Sequence, residues 1–182
     1  MTPFATLPVQ SPMPHLSPLA IDEAGPARVT LESLQARLGQ VPKMYRTFAH
    51  APRVLDAAVS MAQAIRVELD PKLRELAYLK VTHLTDCHVC WHYHEAAARR
   101  VGVSDQQVRD LGTFESSAAY DELERDVLRF TEQWTLRGQV DGAVLDRLKD
   151  VLPPMHLVTL AATAAQANLT CRFNNVFGVE LP

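Results

Sequence analysis

Apolar residues recur at three- and four-residue spacing along most of this chain, and no stretch alternates with period two between hairpin turns. That pattern restricts the fold to packed helices. Leu31, Leu34 and Leu38 share one helix face, and Gly39 ends it. A short helical stretch, 41–49, precedes an Ala-rich segment, 51–68, with Pro52 near its first turn. At Asp70-Pro71 a capping acid meets the residue best suited to the first helical position, so a helix starts there and runs to about Thr85. The next helix starts near Cys87 and ends at Gly102. Ser104 with Gln107 forms a capping box that opens a short helix. Leu123, Val127, Phe130 and Trp134 make one stripe of a helix over about 118–137, closed by Gly138. A short helix, 141–151, leads to the break at Pro153-Pro154. The Ala-rich stretch 155–177 is apolar on most sides, which predicts the central helix of the domain. The fold class is all-α, with about seven or eight helices. Residues 1–28 are rich in Pro and lack a period, so an extended N-terminal arm precedes a helical domain over 29–182, laid over the body or over a neighbouring subunit.

Composition excludes several function classes. The formal charge is -3, and 18 basic residues are scattered among 21 acids, so no basic face points to a nucleic acid. No apolar run approaches the roughly 20 residues that span a bilayer. The first 18 residues carry no Lys or Arg and no long apolar core, unlike a secretory leader, and a cytoplasmic protein is expected. In a reducing compartment, three cysteines point to catalysis or metal binding rather than to structural disulfides.

Chemistry concentrates at Cys87-His-Val-Cys90-Trp-His-Tyr-His94. On a helix, residues three and four apart are neighbours, so Cys87, Cys90 and His94 lie along one face. The pair opens the helix, where free amide groups and the positive dipole end stabilise an anion. A thiolate there has a lowered pKa, and by this argument Cys87 is the more activated thiol. An imidazole one turn on can take the thiol proton or stabilise the thiolate. Two thiols at this spacing can close into a disulfide and provide a nucleophile with its resolving partner. Glu75 sits among Leu76, Tyr78 and Leu79 on the preceding helix, where a carboxylate must be paired or protonated. A partner such as His94 explains its placement and would complete a proton relay.

Other readings compete. Cys87, Cys90 and His94 could ligate zinc with His83, His88 or His92 as a fourth ligand, although structural zinc usually draws ligand pairs from separate segments. Trp91 stands where c-type haem attachment requires His, and no βαβ pattern supports a thioredoxin site. Cys171, in an apolar helix, is expected in the core. His83 is a residue behind the site, His88 and His92 flank it, and His156 caps or packs. Arg172, Asn174 and Asn175 are placed at a subunit contact, and Trp91 and Trp134 in packing.

Glu75, eleven residues, Cys87-x-x-Cys90, three residues, His94 is a pattern that resembles the carboxymuconolactone decarboxylase and AhpD-like family, in particular its alkylhydroperoxidase-like branch. The stretch 41–52 looks like the lead-in segment common in that family. The resemblance implies an all-helical fold assembled as trimers or hexamers. It implies reduction of hydroperoxides, with a thiol or dithiol reductant such as a peroxiredoxin and no cofactor. By that likeness Cys90 attacks and becomes a sulfenic acid, Cys87 resolves it, and His94 and Glu75 relay the proton. The decarboxylase branch typically lacks the cysteine pair, and both cysteines are present here. A non-redox lyase of that branch, using only His94 and Glu75, is the alternative, with a metal-holding structural protein as a third.

Overall fold

The computed structural model describes residues 14–181, over which the chain forms nine α-helices and two three-residue 3-10 turns. The helices are α1 (Arg28–Leu38), α2 (Lys43–Phe48), α3 (Pro52–Glu68), α4 (Pro71–Leu84) and α5 (His88–Arg100), then α6 (Asp105–Arg109), α7 (Glu122–Arg137), α8 (Gly142–Val151) and α9 (Pro154–Phe177). No strand forms among the described residues. The number exceeds the expected seven or eight because the short helices α2 and α6 stand as separate elements.

Capping residues set most of the boundaries. The Asp70 carboxylate accepts from the backbone N–H groups of Lys72 at 2.9 Å and Leu73 at 3.1 Å, and Pro71 occupies the first helical position of α4. The Ser104–Gln107 capping box opens α6 as the sequence predicts. Helix α7 starts at Glu122, four residues later than the apolar stripe suggests. A second capping box decides this: Asp121 accepts from the Glu124 N–H at 2.8 Å, and Glu124 accepts from the Asp121 N–H at 3.1 Å.

The centre of the molecule is α4, and not the last helix as its composition predicts. Ten of its 14 residues are buried, four of them polar or charged, and it packs against α5, α7 and α9. Each buried polar group is satisfied. Lys80, only 1% exposed, pairs with Glu132 of α7 at 2.8 Å and lies 4.4 Å from the centre of the Phe114 ring. The Thr82 hydroxyl donates to the Tyr78 carbonyl at 2.7 Å. These polar residues mask the burial of α4 when hydrophobicity alone is counted. Helix α9 buries one face, while Met155, Val158, Leu169 and Val176 are exposed on another.

Residues 14–27, the described part of the expected arm, lie over the body of the same chain. The His15 N–H donates to the Phe177 carbonyl at 2.9 Å, and Arg46 Nε donates to the Leu19 carbonyl at 2.6 Å. Leu19, Ile21, Ala24 and Ala27 join Leu31, Leu34 and Phe48 in one apolar cluster. Residues 1–13 of the expected arm lie outside the described residues.

Two substitutions test this framework in urea unfolding. Asp70→Ala removes the α4 cap and should cost about 1 kcal/mol. Leu79→Ala, at a fully buried position of α4, should cost roughly 2–5 kcal/mol.

Candidate active site

The site begins at the turn between α4 and α5. Thr85 ends α4, and Asp86 follows with φ of 52°, the left-handed region that Asp tolerates better than most side chains. Asn175 of α9 donates to the Thr85 carbonyl at 2.7 Å and ties this turn to the last helix. The Cys87 N–H donates back to the Thr82 carbonyl at 3.1 Å. Cys87 is thereby the N-cap of α5, and its sulfur accepts from the Cys90 N–H at 3.3 Å.

The sulfurs are buried together. Cys87 and Cys171 have no exposed surface, and Cys90 is 5% exposed. All three cysteines are free thiols, and their Sγ atoms lie within 4.8 Å of one another. Asn174 Nδ2 approaches Cys90 Sγ at 3.2 Å and Cys87 Sγ at 3.9 Å. The hydrogen bond from Cys171, then those from the Cys90 thiol, the Cys90 backbone and Asn174, outweigh burial and hold Cys87 well below the usual thiol range. Cys90 is pushed up by Cys171, by Cys87 and by burial. These contacts therefore favour the ionised form at Cys87 and the neutral form at Cys90.

Glu75 and His94 meet as the sequence predicts. Glu75 Oε2 accepts from His94 Nδ1 at 2.7 Å, and Glu75 Oε1 accepts from Arg74 Nε at 3.2 Å. Burial raises the Glu75 carboxyl, but the hydrogen bond and charge of His94 and the neighbouring Arg74 outweigh it, and the net direction is downward. An ionised Glu75 places a proton on His94 Nδ1, so Nε2 is the ring nitrogen left to exchange a proton with a ligand. The His94 ring stacks on Tyr78 at 3.9 Å between centroids and 7° between planes, so its orientation is set from two sides.

These groups share a cavity of about 540 Å³. Cys90, His94, Tyr78, Tyr45, Gln166 and Asn174 line it, and Cys87 does not. Arg66, Arg74 and Arg100 also face it and make its lining predominantly cationic. The side-chain oxygens of Gln166 and Asn174 are buried without a hydrogen-bond partner. They lie on the cavity wall as acceptors for a ligand N–H or O–H.

Not every sequence-predicted residue reaches the site. His83 does not line the cavity; its ring lies beside Gly112, and burial, with the charge of Lys80, lowers its pKa. His88 is exposed, with Nε2 at 3.9 Å from Asp86. His92 lines the cavity and packs edge-on against Tyr93. Trp91 and Trp134 pack against apolar clusters. Cys171 lies in the core as the sequence predicts, but its place beside the thiol pair was not foreseen, and Asn174 was misplaced. Asn174 is a buried sulfur partner rather than part of an exposed contact. The signal available was their period: Gln166, Thr170, Cys171 and Asn174 are spaced four, one and three apart on α9.

Cys90 and a carboxylate–imidazole pair thus share one cavity of an all-α domain, with Cys87 behind Cys90. The model of the carboxymuconolactone decarboxylase family matches residues 52–133, the stretch holding Glu75, Cys87, Cys90 and His94. With the fold, this match supports a relation to the carboxymuconolactone decarboxylase / AhpD-like family. The debrominase Bmp8 is 19% identical, with a TM-score of 0.77 over 92% of this chain and 91% of that one. A peroxidase-related protein from Silicibacter sp. is 20% identical, with a TM-score of 0.73 over 96% of this chain and 92% of that one. An alkylhydroperoxidase AhpD core protein from Ralstonia eutropha is 20% identical, with a TM-score of 0.77 over 92% and 93%. These likenesses are to the fold. No curated protein matches the sequence.

The depressed Glu75 pKa has a signed consequence. A carboxyl whose folded pKa lies below its unfolded value contributes stability that is present above the unfolded value, 4.5, and lost as pH falls through the folded one. Denaturation midpoints should fall with acid below that value, and Glu75→Gln should flatten the fall. Glu75→Ala should cost roughly 3–5 kcal/mol at neutral pH, because it strands a buried Arg74.

Proposed function

We propose that this chain is a thiol-dependent peroxidase, a dithiol–disulfide oxidoreductase that reduces an organic hydroperoxide. One observation carries the reading: Cys90 and the Glu75–His94 pair open onto one cavity, while Cys87 sits directly behind Cys90 as the cap of the same helix. Access selects Cys90 as the attacking thiol, and electrostatics select Cys87 as the resident thiolate. The two arguments are compatible because the pair shares a proton. When Cys90 attacks, its proton passes to Cys87 or to His94 Nε2, whichever the bound substrate leaves free.

In the first step the Cys90 sulfur bonds to the distal peroxide oxygen and the O–O bond breaks. The alkoxide leaves with a proton supplied through His94, and Cys90 becomes a sulfenic acid. In the second step Cys87 attacks the Cys90 sulfur, the S–O bond breaks, and hydroxide leaves as water after protonation. A Cys87–Cys90 disulfide results. An external thiol or dithiol, such as that of a peroxiredoxin, returns two electrons and restores the pair. A reducing compartment such as the cytoplasm suits this cycle. No described helix is long and apolar enough to cross a membrane.

Peroxide treatment should remove two thiols per chain, and a dithiol reductant should restore them. Cys90→Ser and Cys87→Ser should each abolish turnover, and His94→Gln should lower it by about 10²–10⁴-fold. Thiol counts unchanged by peroxide, or turnover that survives alkylation, would instead favour the lyase that needs only Glu75 and His94. The exposed Met155, Val158, Leu169 and Val176 on α9 support a homo-oligomer, a trimer or hexamer as the resemblance implies. Val158→Glu with Leu169→Glu should shift the sedimentation coefficient to that of a monomer; an unchanged value would place any contact elsewhere.

A further inference from the structure

The two-thiol cycle forms no bond to the third cysteine. Cys171 stands on α9, opposite the start of α5, and its sulfur completes a triangle with those of Cys87 and Cys90 in which no two ligand atoms are more than 4.8 Å apart. The three come from separate places in the fold: the cap of α5, its first turn, and α9. A three-coordinate ion with metal–sulfur bonds of about 2.3 Å holds its sulfurs about 4 Å apart. The triangle therefore needs only a small contraction, within the reach of side-chain rotation. A disulfide from Cys171 would need its sulfur to approach a partner to about 2 Å.

The surroundings restrict which ion fits. No His, Asp or Glu joins this cluster among the described residues. His94, the third ligand considered in the zinc reading of the sequence, is occupied by Glu75 and stacked on Tyr78. Tyr78, Val81, Val89 and Ala167 pack around the sulfurs, and the polar neighbours are the neutral Asn174 amide and Thr82 hydroxyl, so no charged oxygen is offered to a hard cation. A four-coordinate ion such as zinc lacks a fourth protein ligand here. Entry is available through Cys90, which faces the cavity.

We propose that Cys87, Cys90 and Cys171 form a three-sulfur site for a soft, thiophilic ion that accepts three thiolates, such as monovalent copper or trivalent arsenic. With arsenous acid, three As–S bonds replace three As–O bonds. Each thiol proton leaves with a hydroxide as water, and no atom changes oxidation state. With monovalent copper, each sulfur binds as a thiolate and any thiol proton passes to solvent. An occupied site engages both thiols of the redox pair, so the ion should block their oxidation by peroxide. Ion binding itself does not require the peroxidase reading.

Native mass spectrometry of the reduced protein with arsenous acid tests the proposal. The wild type should gain one arsenic with loss of three waters, and Cys171→Ser should lose only two waters and retain an As–OH. Titration with monovalent copper against a competing chelator should show at least about tenfold weaker binding in Cys171→Ser, the lower bound for losing even an indirect partner of a metal. A wild-type adduct that has lost only two waters would overturn the three-sulfur site, whether or not the variant folds. Equal copper affinity in the two proteins would also overturn it. Peroxide-dependent thiol loss is measured on the ion-free protein, so failure of the catalytic reading and failure of this one are distinguishable.

Discussion

A single buried carboxylate organises the centre of this protein. Glu75 lies inside the most buried helix, where an isolated negative charge is untenable. Arg74 beside it and His94 across from it remove that difficulty together. The pairing does structural and chemical work with the same atoms. It joins α4 to α5, fixes the tautomer of the imidazole, and leaves the far ring nitrogen free to take a proton. Tyr78, one turn along α4, holds the ring flat from the other side. The site is thus supported by the helix that supports the fold.

The thiols follow a related logic. Cys87 takes the place of the Ser, Asp or Asn usual at a helix start, so its sulfur is aimed at amide N–H groups by the geometry of capping. Burial alone would favour the neutral thiol. Three partners outside the α5 backbone reverse that preference: the Cys171 thiol, the Cys90 thiol and the Asn174 amide. Cys90, one turn on, inherits the proton and the access to the cavity. Charge and access to the cavity therefore favour different sulfurs.

Much of this was legible in the order of residues. Asp70-Pro71 and Ser104–Gln107 are local signals, and the caps form where they predict. The spacing of Cys87, Cys90 and His94 needs only the helical period, and the apolar company of Glu75 calls for a partner within reach. What was hidden depended on distant segments. The rank of α4 as the central helix was masked by Lys80, Arg74 and Thr82, whose partners lie elsewhere in the chain or in the backbone. Cys171 and Asn174 are separated from the pair by more than eighty residues and carry no motif.

The sequence by itself determined the helical class, the punctuation of the helices, and the face on which a carboxylate, two thiols and an imidazole could meet. These are properties of nearest neighbours along a chain with a 3.6-residue period. Tertiary structure decided which thiol meets the cavity, and it brought a third sulfur and an amide to the pair. Those outcomes depend on α9 packing across the start of α5, and no local pattern encodes the contact between two helices so far apart in the chain.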